Sequence, residues 1–331
     1  MSTGPPNATP DAPQNGDADA EPAINAAAIG PTAIDDTFAE AFGMRYTRVV
    51  VTAVDPYWVD AATRELCGYG SSVISCDAEI AVERVLGPGE TPDGRPGAAV
   101  LAFGFSTDAL AKAVPNRVGQ CVMTCPTTAV YNGLQEGAEG YVEAFPLGKR
   151  VRFFGDGFQK SKLVGGRRYW RVPVMDGEFL VEEQAGVGRG VAGGNIILQG
   201  VSQGVALASA QRVVDALAGV PGVVTPFPGG VVRSGSKVGS RYKGMVASTN
   251  EAFCPTLRGR QGEGRRVESV LAADAQCAYE IVFNGVGEAA VADATTRALH
   301  AAAGEGIPAI GAGNYGGKLG KFHFRLRELI G

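Results

Sequence analysis

The chain has 331 residues, of which 45% are hydrophobic and 19% charged, with a net charge of −4. The first 33 residues carry this charge, and the rest balance 30 acidic with 30 basic side chains, so no basic field exists to hold nucleic acid. The sequence has no run of about 18 apolar residues that would span a membrane, and its N-terminus lacks the pattern of a secretory signal. We therefore expect a cytoplasmic protein of two ordinary domains or one large domain.

Residues 1–33 are rich in alanine and proline and contain no aromatic side chain. A segment of this composition cannot bury enough apolar surface to fold, so we predict a disordered tail. Folded sequence is expected from Ile34 onward. Directly after it, Asp36 or Thr37 followed by Glu40 matches the capping box that opens a helix, which gives these acidic residues a structural role.

In the first half of the chain, residue periodicity predicts the order strand–helix–strand twice. The predicted strands cover 45–54, 71–77, 98–105 and 120–126, and the predicted helices cover 56–70 and 106–119. Pro56 is suited to open the first helix, whereas Pro115 is expected to interrupt the second.

The second half repeats this order. Its predicted strands cover 195–201, 222–227, 277–283, 307–313 and 321–329, and its predicted helices cover 202–220, with Ser202 as N-cap, and 287–304. Extra strands are predicted at 151–158, 168–174 and 177–183. The pattern predicts an α+β protein with two ferredoxin-like α/β sandwich lobes, a duplicated βαββαβ unit with inserted strands, at 34–165 and 166–331.

Several common catalytic signatures fail on inspection. The spacing of Gly311, Gly313 and Gly316 fits a dinucleotide-binding loop, but a strand rather than a helix is predicted to follow it. The stretch 230–237 resembles a P-loop in which the lysine comes one residue late. His323 is predicted on the solvent side of a strand, and His300 lies in an alanine-rich helix, which argues against a histidine-dependent triad.

The six cysteines do not suggest a disulfide framework or a metal site. Cys121 and Cys125 are four residues apart, but no second pair or nearby histidine completes a ligand set. We expect reduced core thiols and no bound metal.

One carboxylate stands out in the strand CAYEIVFNG, residues 277–285, because Glu280 lies within an otherwise apolar segment. A buried and unpaired carboxylate is costly, so Glu280 either pairs with a buried basic residue or has a function. Glycine-rich stretches at 190–195, 225–240 and 313–320 are either ordinary turns or places where backbone approaches a ligand.

Nine stretches, in order, resemble formylmethanofuran:tetrahydromethanopterin formyltransferases. They are 36–42, 91–97, 120–128, 153–158, 190–195, 225–240, 248–257, 279–282 and 313–322. The resemblance implies two ferredoxin-like lobes and a homo-oligomer, a tetramer, with active sites near subunit contacts. It implies an acyltransferase that moves a formyl group between the amine of methanofuran and N5 of tetrahydromethanopterin. Both carriers are substrates, and no prosthetic group is implied.

The folded part is charge-balanced rather than strongly acidic, which favours a bacterial methylotroph type over the archaeal members. Such a homologue resembles one subunit of a formyltransferase/hydrolase complex, so further subunits are expected partners, and methylofuran can replace methanofuran there.

The resemblance places the catalytic glutamate at Glu280. Burial should raise its pKa, so that the neutral acid donates a hydrogen bond to the oxyanion of a tetrahedral intermediate in a ternary complex. The residues expected to bind substrate, or otherwise to serve turns, surface charge or core packing, are Phe42, Gly193, Gly194, Asn195, Phe227, Gly229, Gly230, Ser234, Ser236 and Lys237. The aromatic rings would pack on the furan or pterin, and Ser234, Ser236 and Lys237 would meet the acidic carrier tails.

Two other functions stay open. The chain could serve as a non-catalytic carrier-binding or scaffold subunit of a larger complex, although the presence of Glu280 argues for activity. A covalent acyl transferase that uses Cys121 or Cys254 is disfavoured, since no histidine motif lies near either cysteine.

Overall fold

The computed structural model describes residues 27–262 and 265–331. Its helices are α1 (Pro56–Cys67), α2 (Thr107–Arg117), α3 (Gly148–Val151), α4 (Gln203–Ala218), α5 (Glu288–Ala302) and α6 (Leu326–Leu329). Its strands are β1 (Ala28–Ile29), β2 (Thr32–Ile34), β3 (Phe38–Thr52), β4 (Glu79–Leu86), β5 (Gly97–Gly104), β6 (Ala129–Asn132), β7 (Tyr141–Pro146), β8 (Lys160–Val164), β9 (Arg167–Val174), β10 (Gly177–Glu182), β11 (Gln184–Gly200), β12 (Val223–Val224), β13 (Lys237–Val238), β14 (Ala247–Ser248), β15 (Gln261–Gly262), β16 (Arg265–Arg266), β17 (Cys277–Gly285), β18 (Ala309–Gly311) and β19 (Phe322–Arg325).

The predicted duplication of a ferredoxin-like unit is confirmed. In the first unit the chain runs β3-α1-β4-β5-α2-β6, and its antiparallel strands lie in the order β6-β3-β5-β4. In the second unit it runs β11-α4-β12-β17-α5-β18, with the matching order β18-β11-β17-β12. Each unit therefore has the βαββαβ topology of a split βαβ sandwich.

Two unusually long strands join the units into one sheet. β3 has 15 residues and β11 has 17, and they pair antiparallel from Phe42 to Thr47 and from Val187 to Ala192. Among the described residues this gives a continuous sheet of 15 strands. Each long strand takes part in both units. The surface where the two units meet is therefore built from both halves of the sequence.

Local signals explain the helix starts. The Asp55 side chain accepts hydrogen bonds from the N–H groups of Tyr57 and Trp58 and caps α1, with Pro56 in the first turn. Ser202 caps α4 as predicted, by accepting from the N–H of Val205. Small buried side chains on α4 and α5 let both helices pack closely on β11 and β17 in the C-terminal core.

The helix predicted near Asp36 and Glu40 is wrong. This segment is the start of β3, in which Ala39 and Ala41 are buried in the C-terminal core and Glu40 points to the other side. The period-two alternation and the pairing with β19 and β11 outweigh the local capping signal.

Three further local predictions are corrected. Residues 71–77 form turns rather than a strand, and the strand follows as β4. Residues 120–126 extend α2 as a π-helical turn, with Val118 and Val122 buried in the N-terminal core, before another turn. Residues 151–158 are helical and turn-like, with Val151 on the buried face of α3. At 120–126 and 151–158, burial of Val122 and Val151 in the N-terminal core overrides the apolar run that suggested a strand.

Pro115 does not interrupt its helix, because α2 continues through it to Arg117. A proline lacks the N–H that would bond to the carbonyl four residues earlier, here Ala111. The Arg150 guanidinium donates a hydrogen bond to that carbonyl instead. The lost backbone bond is thus replaced by a side chain from α3.

The predicted tail is too long at its C-terminal end. Strands β1 and β2 form a hairpin, and β2 pairs in parallel with β18, with Thr32 buried. Residues 1–26, the rest of that prediction, lie outside the described residues. The lobe border at 165/166 stays a prediction. Strand β9 pairs with β10, β10 pairs with β6, and the two strands bury Val172, Phe179 and Val181 in the N-terminal core. Within the described ranges, none of the helices is long and apolar enough to cross a membrane.

Candidate active site

A cavity of about 880 Å³ lies where the two units meet. Strands β3, β11 and β17 form its floor, and three loops form its walls. The loops cover residues 72–74, 227–253 and 312–319. The lining is mainly apolar, with a few polar groups, as is typical of small-molecule sites.

Glu280 lies at the floor of this cavity, with only 3% of its surface exposed. It is in β17, opposite Ile197 of β11, while its neighbours Tyr279 and Ile281 pack in the C-terminal core. Its Oε2 accepts the backbone N–H of Ser236 at 2.7 Å, and its Oε1 accepts the Ser236 hydroxyl at 2.7 Å. Burial raises the pKa of Glu280, and the two bonds from Ser236 only partly offset that rise.

Asn195 lies in β11, two residues from the residue opposite Glu280, and its amide is fully used by backbone. Its Nδ2 donates to the carbonyls of Gly193 at 3.0 Å and Gly313 at 3.2 Å, and its Oδ1 accepts the Gly313 N–H at 2.6 Å. Asn195 thus holds the loop that begins at Gly313 against the cavity floor. Both N–H donors of its amide are thus used in shaping the wall.

Gly193 is at the bulge where the pairing of β11 with β17 shifts register. Its φ is +87°, and a side chain there would also approach the Phe42 ring to 3.1 Å. Only glycine adopts this conformation at low cost, so Gly193 serves a tight approach to Phe42 in the cavity wall.

Glu40 is a second buried carboxylate beside the cavity, with 2% of its surface exposed. It accepts four backbone N–H groups from the loop 315–320. Although burial alone would raise the pKa of Glu40, these four donors hold it below its usual value. Glu40 is therefore ionised over the range in which burial favours a neutral Glu280.

Glu79 is the third buried carboxylate in the cavity lining. Its Oε2 accepts the Asn284 side-chain amide at 2.5 Å, and its Oε1 accepts the Val73 N–H at 3.0 Å. Asn284 in turn accepts the N–H of Gly193 at 3.0 Å. Burial raises the pKa of Glu79. This chain of bonds fixes the loop from the N-terminal unit to the floor from the C-terminal unit.

Comparison with known proteins identifies the family. A model described as formylmethanofuran–tetrahydromethanopterin formyltransferase matches residues 28–174, and a model of the proximal lobe of the same family matches residues 177–329. The chain belongs to the formylmethanofuran–tetrahydromethanopterin formyltransferase family. A formyltransferase of that name from Methylobacillus flagellatus is 51% identical, over 91% of this chain and 99% of the relative. A subunit of the formyltransferase/hydrolase complex of Methylorubrum extorquens is 46% identical, over 90% of this chain and 95% of the relative.

Solved structures agree in fold. The formyltransferase of Methanosarcina barkeri superposes with a TM-score of 0.83 at 44% identity, over 91% of this chain and 99% of that chain. A chain of the formyltransferase/hydrolase complex of Methylorubrum extorquens, determined with methylofuran, gives 0.85 at 44% identity, over 92% and 98% of the two chains. Family membership therefore rests on sequence and structure over nearly the whole length.

In the structure of this chain, most of the predicted site residues lie together. Seven of them line the cavity: Phe42, Gly193, Asn195, Phe227, Ser236, Lys237 and Glu280. The Lys237 ammonium is held by the Glu251 carboxylate at 2.6 and 2.7 Å, so it is not a free surface charge. The substrate-binding roles of these residues stay predictions.

Four predicted residues do not line it: Gly194, Gly229, Gly230 and Ser234. Gly194 faces α5, where a side chain would come within 2.6 Å of Phe283 and Val291. Gly230 has its closest neighbour in Val214 of α4. Ser234 is exposed and borders a hollow of about 30 Å³ on another side of Glu280. Close packing therefore accounts for Gly194 and Gly230, and the substrate-binding roles of all four residues stay predictions.

Sequence reasoning missed Glu40, Glu79 and Tyr315 as parts of the site. Glu40 carries the signal that singled out Glu280, a carboxylate between apolar residues of a strand, but its helix-cap interpretation concealed it. Tyr315 lies in the glycine-rich stretch 313–320, and its hydroxyl reaches the segment of Ser236. No sequence pattern marks that contact.

The cysteines lie outside the main cavity. Burial raises the pKa of Cys121, and Cys254 borders the small hollow with its thiol bonded to the Asn250 carbonyl at 3.4 Å. His323 is exposed, as predicted, and stacks on Phe38 with ring centroids 4.8 Å apart. Among the described residues no group of three or more His, Cys, Asp or Glu could hold a metal ion.

Proposed function

We propose that this chain transfers a formyl group between the amine of methanofuran or methylofuran and N5 of tetrahydromethanopterin. The family membership of the chain supports this reaction, and relatives of similar length are named after the reaction. The observation that carries the proposal is the position of Glu280: a buried carboxyl with a raised pKa at the floor of a cavity between the two units.

The proposed reaction proceeds in a ternary complex. The incoming amine attacks the formyl carbon, the carbonyl π-electrons move to oxygen, and a tetrahedral oxyanion forms. Cleavage of the original C–N bond then releases the other amine. The attacking nitrogen loses one proton and the leaving nitrogen gains one, so the exchange needs no external oxidant or reductant. Holding both carriers in one cavity contributes about 7–11 kcal/mol in favourable cases.

Glu280 acts in its protonated form. The backbone N–H of Ser236 can only donate, so Oε2, which accepts it, is assigned as the carbonyl oxygen of the acid. Oε1 then carries the proton and accepts the Ser236 hydroxyl through a lone pair. Oε1 would lie 3.5 Å from a side chain built on Gly313, so the absence of one keeps that oxygen accessible. From there the acid donates to the formyl oxygen as negative charge develops on it, in a site of low polarity where such a bond is strong.

The cavity lining supports a role for its aromatic residues in holding the carrier rings. Phe42 and Phe227 both border the cavity, and furan and pterin rings are flat and partly apolar. The Ser236 hydroxyl donates its hydrogen bond to Glu280, and the Lys237 ammonium donates to Glu251. Both residues therefore position the cavity wall.

The proposed assembly is a homo-oligomer, a tetramer. The supporting observation is that the N-terminal unit exposes three aromatic residues that are close in sequence, Phe153, Phe154 and Phe158. Large apolar groups exposed together typically mark an interaction surface. Light scattering after gel filtration measures the mass directly, and a monomeric mass of 34.1 kDa would contradict this assembly.

A second candidate is a carrier-binding subunit of a larger complex. It is supported by the relative that is named as a subunit of the formyltransferase/hydrolase complex. The test is an assay of the purified chain alone with both carriers. Transfer by the chain alone supports the proposed enzyme, whereas carrier binding without transfer supports the second candidate.

A further inference from the structure

We propose that Glu40 is a positioning residue, whose ionised carboxylate holds the loop 315–320 so that this loop keeps Ser236 against Glu280. The proposal rests on the proposed function of Glu280 and extends it. It assigns to Glu40 a part in formyl transfer without contact with the reacting atoms.

Four hydrogen bonds from the loop use both carboxylate oxygens of Glu40. Oε2 accepts the N–H of Tyr315 at 2.6 Å and of Gly317 at 3.0 Å. Oε1 accepts the N–H of Leu319 at 2.7 Å and of Gly320 at 2.6 Å. Successive N–H groups that converge on an anion in this way form a nest. Both oxygens are used, so Glu40 has no free position for proton transfer.

The loop can reach Glu40 only with glycine at position 320. A Cβ there would collide with the Ala41 carbonyl oxygen and would lie 2.9 Å from Cγ of Glu40. No real side chain tolerates these separations, so the loop and β3 are built to touch. The glycine at position 320 is thereby explained by the close approach of the loop to a carboxylate of the protein itself.

Tyr315 connects the nest to the catalytic acid. Its N–H is bound by Glu40, while its hydroxyl accepts the Val238 N–H at 2.7 Å and donates to the Ser236 carbonyl at 3.2 Å. Ser236 then bonds to both oxygens of Glu280. One residue thus spans the distance from the ionised carboxylate to the segment that orients the neutral one.

The chain offers a matched control in Glu182. Glu182 is also buried at the end of a strand and accepts a backbone N–H, that of Asn132, at 2.9 Å. It does not line the cavity. Glu182 differs from Glu40 in that burial raises its pKa and the Arg167 guanidinium lies 3.9 Å from its carboxylate. Glu182→Gln therefore reports the general effect of replacing a buried strand glutamate outside the cavity.

The first experiment compares kcat/KM of wild type, Glu40→Gln, Tyr315→Phe and the double variant. The amide of Glu40→Gln turns its NH2 toward two backbone N–H groups, so the loop shifts, and a shift of about 1 Å in a positioned group costs about 10²-fold. Tyr315→Phe keeps the nest but breaks the link to Ser236. We expect a loss in each single variant, and a double variant no slower than the slower single one. Losses that multiply, or an unaffected Tyr315→Phe, would overturn the proposal.

The second experiment does not depend on activity. Amide hydrogen exchange at Tyr315, Gly317, Leu319 and Gly320 should accelerate in Glu40→Gln and stay protected in Glu182→Gln. Unchanged exchange in Glu40→Gln would overturn the role of the nest. If wild type transfers no formyl group, the proposed function fails, while exchange at residues 236–238 in Glu40→Gln and Tyr315→Phe still decides whether Glu40 orders this segment. If Glu40→Gln does not fold, the kcat of Tyr315→Phe is the deciding measurement, and an unchanged kcat would overturn the proposal.

Discussion

Replacement of Glu280 by glutamine separates acid catalysis from mere hydrogen bonding. The side chains are almost equal in size, and the glutamine oxygen can still accept the Ser236 N–H that now bonds to Oε2 at 2.7 Å. Its NH2 then occupies the place of the acid proton, so one donor to the formyl oxygen remains. What is lost is the stronger, transferable proton.

The structure sets the size of the effect. A positioned general acid contributes about 10²–10⁴-fold to rate. Because the amide keeps a weak donor at the same place, we expect kcat of Glu280→Gln to fall by about 10²–10³-fold, or about 3–4 kcal/mol in the barrier. KM for both carriers should change little, since Glu280 touches the reacting group rather than the carrier tails.

The same substitution that lowers kcat should increase the stability of the folded protein. Burial raises the pKa of Glu280, so the folded state binds this proton more tightly than the unfolded state does. Wild type therefore loses stability as pH rises from the ordinary pKa of a glutamate to the raised value, whereas Glu280→Gln does not. We expect the two proteins to unfold alike at acid pH and the variant to be the more stable at higher pH.

The assay follows formyl transfer between the two purified carriers in both directions, with urea unfolding measured across pH for both proteins. Glu182→Gln, which lies outside the cavity lining, is the control and should keep wild-type kcat. A kcat of Glu280→Gln within about tenfold of wild type would refute the acid role, because that is less than a positioned proton donor supplies. A stability difference that is independent of pH would refute the buried neutral carboxyl.

Three further outcomes follow from the same geometry. Transfer should slow as pH rises through the pKa of Glu280, and Ser236→Ala should shift this fall to higher pH, because the lost hydroxyl bond no longer lowers that pKa; a fall at lower pH contradicts this. Glu40→Gln should be less stable by about 2–6 kcal/mol at neutral pH, because two backbone N–H groups lose their acceptor at about 1–3 kcal/mol each. In urea unfolding that gap should close as pH falls through the lowered pKa of Glu40, and a constant gap contradicts it. Alkylation of Cys121 and Cys254 should leave kcat unchanged, and inactivation would favour a thiol nucleophile.

The fold was predictable where local periodicity and tertiary packing agree. Helices α1 and α4 have side-chain caps, α1, α4 and α5 each bury one apolar face, and β5 is a continuous apolar run. The predictions failed where a local signal had a competitor elsewhere in the chain. The capping box at Asp36 lost to a strand whose partners, β11 and β19, begin about 150 and 290 residues later.

Glu40 and Glu280 show why the candidate site was only partly predictable. Each is a carboxylate between apolar residues of a buried strand, and each is at most 3% exposed. The sequence indicates the cost of burying a carboxylate, which both residues share, because burial by itself tends to raise the pKa of each group. The donors decide the outcome: four backbone N–H groups reach Glu40, against one N–H and one hydroxyl at Glu280.

The donors to Glu40 come from residues 275 to 280 positions away, and those to Glu280 from a residue 44 positions away. Such separations are set by the sheet, not by a motif. A polar residue in an apolar strand therefore predicts a special site, but its charge follows only from counting the donors that the fold brings to it. By that count the cavity has an ionised carboxylate that builds its wall and a neutral one that is able to act.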